Sequence, residues 1–387
     1  MKRIYFRNTA GMEKCKVCLL SAGEREEALL TERDGEGDFV LEFDEERFDS
    51  IYFEGVNGEK TGIVYPGKLS LGIEYKYNEG QKRNLTYLFV KDGKNGGRVD
   101  NYVLSDVQRL SHREDKSKKI SVFVPESYDG VTPHDILYFF DAQNLFGAAG
   151  HYTENGDPYG SWQLDTVITE LKRQFGENII AVGIDNADAY RDRELFMDPK
   201  KFGALAPLAT ALPDEDYSVG YLDEISEFIT TTLHSFIKER YCVKEDNIGV
   251  GGASMGGIAA FYCGLRERGF YRYVLSYSPA FGLYDISAFE DYFAGSDFGG
   301  AVEELPKIHI YCGEGDPLER LLIGSSRAMK GALVRYGYPE GKIFDTYDSE
   351  KPHNEESWRL ILAQSFSYLL KGDVSFSEEQ KPLNRIK

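Results

Sequence analysis

The spacing of apolar residues changes character near residue 106. Before it, short alternating runs (KRIYFRN, KCKVCLL, DFVLEF, SIYFEG) are punctuated by the turn segments TAG, ERDGEGD and NGEK. Period-two alternation between such turns predicts strands, and residues 1–68 read as a small all-β sandwich. The runs LGIEYKYN and NLTYLFV, with KDGKNGG as a hairpin turn, extend the β reading through 69–106 as a β-rich connecting segment.

After residue 106, continuous apolar runs alternate with longer amphipathic stretches. KISVFVPE, DILYFFD, NIIAVGID, NIGVGG, YRYVLSYSP, KIHIYCGEGD and KIFDTYDS read as strands. SWQLDTVITELKRQF, SVGYLDEISEFITTTLHSFIKERY, GGIAAFYCGLRE and ESWRLILAQSFSYLL read as helices. Strands without alternation are buried on both faces, so the pattern predicts an α/β fold over 107–372, with a mostly parallel sheet flanked by helices. SHREDKSKK at 111–119 reads as a solvated turn, 197–220 as a candidate lid, and 373–387 as a polar tail.

One junction carries chemistry. In NIGVGGASMGG, five glycines surround Ser254 between a predicted strand and a predicted helix. Gly252-Ala253-Ser254-Met255-Gly256 fits G-x-S-x-G, in which a serine on a sharp strand-to-helix turn is exposed as a nucleophile. The flanking residues must be small, because the two backbones nearly touch there. A serine needs a base, and in this architecture the chain order is Ser, then Asp or Glu, then His. Of the six histidines only His309 and His353 follow Ser254. His309 lies in the middle of a strand and reads as packed; His353, in the loop before the last helix, reads as the base. The strand between them ends in a turn with Glu314, Asp316 and Glu319. Asp316 is the favoured acid and Glu314 the alternative. The oxyanion donors would be the amides of Met255 and Gln143. Asp141, Asn144, Trp162, Arg191, Arg193, Glu194 and Trp358 are candidates for contact with substrate.

Composition narrows the partners. A formal net charge of −19 repels phosphate backbones and anionic lipid, which argues against nucleic acid and membrane partners. No stretch approaches the roughly 18 apolar residues of a membrane helix, and the N-terminus lacks the apolar core of a signal peptide. Five sparse cysteines read as reduced thiols in a cytoplasmic protein, with Cys15 and Cys18 structural. No metal or organic cofactor is implied, and homo-oligomerisation is left open.

Together these residues resemble the putative esterase family of α/β-hydrolases. That group includes enterochelin esterase-like proteins, feruloyl and acetylxylan esterases, S-formylglutathione hydrolase and the mycolyltransferases. The matching pieces are VFVPESYDG, LYFFDAQNLF with Ala142 where the family has glycine, the Arg191, Arg193, Glu194 segment, GGASMGG and PHNEESW. The resemblance implies a serine carboxylesterase acting on a small or aromatic acyl ester, with a carbohydrate as one reading of the alcohol. Acyl transfer with the same triad, or glycan binding on a non-catalytic scaffold, are the alternatives. Residues 1–68 resemble a starch-binding carbohydrate-binding module, with Met12, Lys16 and Cys18 where sugar-stacking aromatics are expected.

Overall fold

A computed structural model describes residues 2–21, 24–43, 47–91, 96–147, 159–186, 190–202, 219–300 and 302–371. Most of the candidate lid (203–218) and the tail 373–387 lie outside the described residues.

The N-terminal strands are β1 (Lys2–Asn8), β2 (Lys16–Ser21), β3 (Glu24–Leu29), β4 (Phe39–Phe43), β5 (Ser50–Glu54), β6 (Leu71–Asn78) and β7 (Arg83–Phe89). They form two sheets, β4-β1-β6-β7 and β3-β2-β5. Phe6 of β1 stacks on Phe53 of β5 with ring centroids 3.9 Å apart, which ties the two sheets together. Residues 69–106, read above as a connecting segment, divide between the two halves of the molecule. β6 runs parallel to β1 and completes the first sheet, whereas β8 (Gly97–Leu104) is the edge strand of the large sheet.

The large sheet continues with β9 (Lys118–Pro125), β10 (His134–Phe140), β11 (Ile179–Ile184), β12 (Val243–Ala253), β13 (Tyr273–Tyr277), β14 (Lys307–Gly313) and β15 (Ile343–Asp348). Its order is β15-β14-β13-β12-β10-β11-β9-β8, parallel from β15 to β11 and antiparallel at β9 and β8. Every residue of β10, β11 and β13 is buried, as the unbroken apolar runs predict. Helices α1 (Leu164–Phe175), α2 (Arg191–Glu194), α3 (Pro199–Phe202), α4 (Leu222–Glu227), α5 (His234–Arg240), α6 (Met255–Arg266), α7 (Ile286–Ala294), α8 (Pro317–Arg335) and α9 (Glu355–Lys371) accompany it. No described helix is long and apolar enough to cross a membrane.

The topology fixes where a site can lie. β10 is followed by β11 on one side, while β12 pairs on its other side. The carboxyl ends of β10 and β12 therefore flank the crevice where the direction of winding reverses, the usual ligand position in open α/β sheets. Asp141 and Ser254 stand immediately beyond those two ends.

The N-terminal sheets share a core with one face of the large sheet. Phe6, Val17 and Phe53 belong to the same buried cluster as Trp162, Leu164, Trp358 and Leu360. Hydrogen bonds reinforce the joint: Tyr65 N–H donates to the Leu360 carbonyl, Thr86 N–H to Glu356 Oε1, and the buried Arg359 Nε to the Thr86 carbonyl. Tyr65 Oη also donates to Asp348 Oδ2 at 2.8 Å, just before the loop that carries His353. Tyr52, Phe53 and Tyr65 of the sandwich are all buried and offer no open ring face for a sugar. Removing the Tyr65 hydroxyl leaves a buried carboxyl oxygen without its donor, so Tyr65→Phe is expected to cost about 1–3 kcal/mol. Urea unfolding of the full chain checks this.

Candidate active site

Ser254 sits between β12 and α6 with φ 57° and ψ −121°. For a residue with a Cβ this region is strained by roughly 1–3 kcal/mol, and such strain collects at functional sites. The neighbouring glycines explain how the turn is built. A Cβ on Gly252 would lie 2.4 Å from the Gly256 carbonyl oxygen, and one on Gly257 2.6 Å from that of Tyr277. The strand and the helix thus cross at backbone contact, and only glycine fits. Met255 N–H is the first amide of α6, one of those a helix start leaves without an intrahelical acceptor.

The loop after β10 approaches the same turn. Asp141 has φ 56° and ψ 57°, and Gln143 lies in the short helical turn Ala142–Asn144 that it opens. Arg191 clamps Asp141 with two hydrogen bonds, Nε to Oδ1 at 2.7 Å and Nη2 to Oδ2 at 2.8 Å. A Cβ on Gly256 would come 2.9 Å from Asp141 Oδ2, so this ion pair rests directly on the serine turn. The methyl of Ala142 packs where Gly183 of β11 has no side chain; a Cβ there would be 2.5 Å away.

His353 is held differently from the sequence expectation. Its Nδ1 lies 3.0 Å from Glu319 Oε1, not against Asp316 or Glu314. Glu319 is fully buried and receives three further hydrogen bonds. Ser278 Oγ donates to Oε1, while Gly313 N–H and the Cys312 thiol, each at 3.0 Å, donate to Oε2. Asp316 instead caps α8: its Oδ1 accepts Glu319 N–H at 2.8 Å, and its Oδ2 accepts His353 N–H at 2.6 Å. Burial opposes ionisation of Asp316, but the amides of His353 and Glu319 outweigh it and hold the carboxyl below its ordinary 3.8. Asp316 thus pins the backbone of the histidine loop, while Glu319 faces the ring. Glu314 pairs with Arg327 at 3.1 Å.

The spacing Asp316-Pro317-Leu318-Glu319 contains the signal for this arrangement. Asp before Pro, with Glu three residues on, is how a capped helix begins. A helix that starts at Pro317 turns Glu319 inward, toward the end of β14.

The two halves of the site are joined through β13. Ser254 N–H donates to the Tyr277 carbonyl at 2.9 Å, and the next residue, Ser278, donates to Glu319. Trp358 Nε1 in turn donates to Ser278 Oγ at 3.0 Å, and its ring meets His353 edge-on at 5.1 Å. Trp358 therefore supports the histidine, and Trp162 stacks beneath it at 5.0 Å, itself buried. Asn144 Nδ2 donates to Glu355 at the start of α9.

Glu194 is remote in role from Arg191. It is buried with Lys118, His112 Nε2 at 3.0 Å and Arg113 Nη1 at 3.4 Å. That cluster also revises the solvated reading of 111–119, since the side chains of His112 and Lys118 are enclosed. The Arg193 carbonyl accepts Tyr221 N–H ahead of α4. His309 is packed as expected, between Ser365 Oγ and Thr346 Oγ1, and burial pushes it down to about 3. Among the described residues no cluster of His, Cys, Asp or Glu could hold a metal ion.

Residues 111–368 match the family described as Putative esterase. No curated protein matches the chain. Among solved structures, the siderophore hydrolase EstA from Aspergillus nidulans is 14% identical, covering 72% of this chain and 96% of its own, with a TM-score of 0.55. The enterobactin esterase from Shigella flexneri is 13% identical and covers 96% of this chain and 92% of its own, with a TM-score of 0.51. A ferulic acid esterase is 16% identical over 71% of this chain and 99% of its own, with a TM-score of 0.50. At these identities the likeness is one of fold, and with the enterobactin esterase it extends over the N-terminal sheets.

The Asp316 carboxylate stabilises the fold wherever it is ionised. Its folded pKa lies below the unfolded value, so the contribution is complete at neutral pH and disappears as pH falls through the folded pKa. Asp316→Asn is expected to cost about 1 kcal/mol at neutral pH, the scale of a helix cap. The gap to wild type should close in acid below 3.8, read from urea unfolding across a pH series.

Proposed function

The chain belongs to the Putative esterase family and is a carboxylic ester hydrolase, and from that premise we propose that Ser254, His353 and Glu319 form its catalytic triad. The observation that carries this reading is the fully buried Glu319 carboxylate on His353 Nδ1, tied through Ser278 and Tyr277 to the strained turn of Ser254.

Ser254 attacks the ester carbonyl. His353, with Nδ1–H held by Glu319, takes the serine proton through Nε2 and returns it to the leaving alcohol. Glu319 keeps the ring in that tautomer and stabilises the imidazolium that forms. The amides of Met255 and Gln143 hold the oxyanion, favoured by the N-terminal end of α6. Water, activated by His353, then cleaves the acyl-enzyme. Arg191 acts through Asp141, keeping the Gln143 turn seated on the serine.

The acyl group in this reading is small or aromatic. The fold likeness to a ferulic acid esterase and to hydrolases of siderophores supports it, and the match to the enterobactin esterase spans both parts of the chain.

Hydrolysis of p-nitrophenyl acetate by parallel preparations tests the assignment. Ser254→Ala should abolish activity; equal rates in wild type and variant would overturn the nucleophile. Glu319→Gln should lower kcat by about 10³–10⁴. Asp316→Asn should stay within about tenfold, roughly 1.4 kcal/mol. The reverse ranking would return the acid to Asp316.

A further inference from the structure

A cleft of about 290 Å³ opens between the N-terminal sheets and the loop that precedes His353. One wall carries Lys60, Gly62 and Arg83; the other carries Gly315, Lys351 and Glu356. Ser254, Glu319 and His353 do not line it.

Lys351 sets the chemistry of this space. The residue is 4% exposed, yet among the described residues its ammonium makes no hydrogen bond and no ion pair. The missing side chain at Gly62 makes room for it: a Cβ there would lie 3.0 Å from Nζ. The other charges of the cleft are already matched. Lys60 pairs with Glu350 at 3.1 Å and Arg83 with Glu356 at 3.4 Å, both cations about half exposed at the mouth. Burial pushes the Lys351 ammonium below its ordinary value, against the attraction of Glu350, Glu356 and, most strongly, Asp348. The oxygens of Asp348, however, are taken by Tyr65 Oη and Glu350 N–H, and burial favours its neutral form. An enclosed ammonium with three donors and no acceptor is costly unless something supplies one.

We propose that this cleft binds the carboxylate of a small organic acid, with Lys351 as its charge partner. The volume sits at the small end of ligand sites and admits a few heavy atoms beyond the carboxylate. The bound acid would grip the segment that carries the histidine. Lys351 lies two residues before His353, and its carbonyl accepts Gly315 N–H at 2.8 Å, next to the Asp316 that holds His353 N–H. The acid is either part of the ester substrate or a separate small molecule, and the chemistry at Lys351 is the same for both.

Calorimetry of the full chain with succinate as the probe tests the site, and it needs no enzymatic turnover. Saturable binding to wild type that weakens at least about tenfold in Lys351→Met is the expected result. No saturable heat with wild type overturns the proposal, as does equal affinity in the variant. If Lys351→Met fails to fold, a crystal structure of wild type with succinate decides instead: a carboxylate at Nζ supports the site, and succinate bound elsewhere overturns it. Kinetics then separate the sources. For a separate acid, succinate changes kcat/KM for p-nitrophenyl acetate in wild type and not in Lys351→Met. For an acid within the substrate, Lys351→Met raises KM for p-nitrophenyl hemisuccinate and leaves that for p-nitrophenyl acetate in place.

Discussion

A fully buried carboxylate, Glu319, is the constraint on which the site is built. A charge in that position is tolerated only when donors surround it. Here they come from three separate pieces of chain: Ser278 beyond β13, Cys312 and Gly313 at the end of β14, and His353 ahead of α9. None of the three can shift without leaving a lone pair unsatisfied in a dry interior. The electrostatic need of one oxygen pair therefore fixes the relative height of two strands and the position of the histidine ring. Trp358 extends the chain of donors by one more bond and sets its ring edge-on against the imidazole.

The N-terminal sheets act on the same element from behind. Tyr65 reaches Asp348, Lys60 reaches Glu350 and Thr86 reaches Glu356, so contacts from one β unit fall on both sides of His353. The loop is short, and its geometry is imposed by its neighbours more than by its own sequence. Neighbours on both sides thus place the His353 side chain while denying its loop freedom.

Much of this was legible from residue order. The strand-to-helix turn at Ser254 was legible because G-x-S-x-G between a buried strand and a helix has a steric cause, and the glycine contacts are that cause. Chain order and a loop position singled out His353, whose ring meets Glu319, while His309 lies packed in its strand. The partner of the histidine was harder. Three acids stand within six residues, and composition cannot say which one a helix will turn inward; the capping pattern at Asp316 could have. The boundary at residue 68 was obscured because β1 pairs with β6, a long-range parallel pairing with no local signature. Trp162 and Trp358 were ambiguous for a general reason: an aromatic on an amphipathic helix has the same spacing whether it meets a ligand or the core. Nothing in the sequence foretold that Arg191 would clamp Asp141, since that pair is 50 residues apart.

The apolar cluster that runs from Phe6 and Phe53 through Trp162 to Leu360 has a consequence for how this chain could have diversified. A module appended by a flexible tether can be lost, exchanged or duplicated without harm to its host. Here the seam is interior. Cutting it would lay bare the face of α9 and the underside of the large sheet, a surface of the kind that drives aggregation. Within this chain the two parts therefore constrain each other's substitutions, residue against residue across the seam.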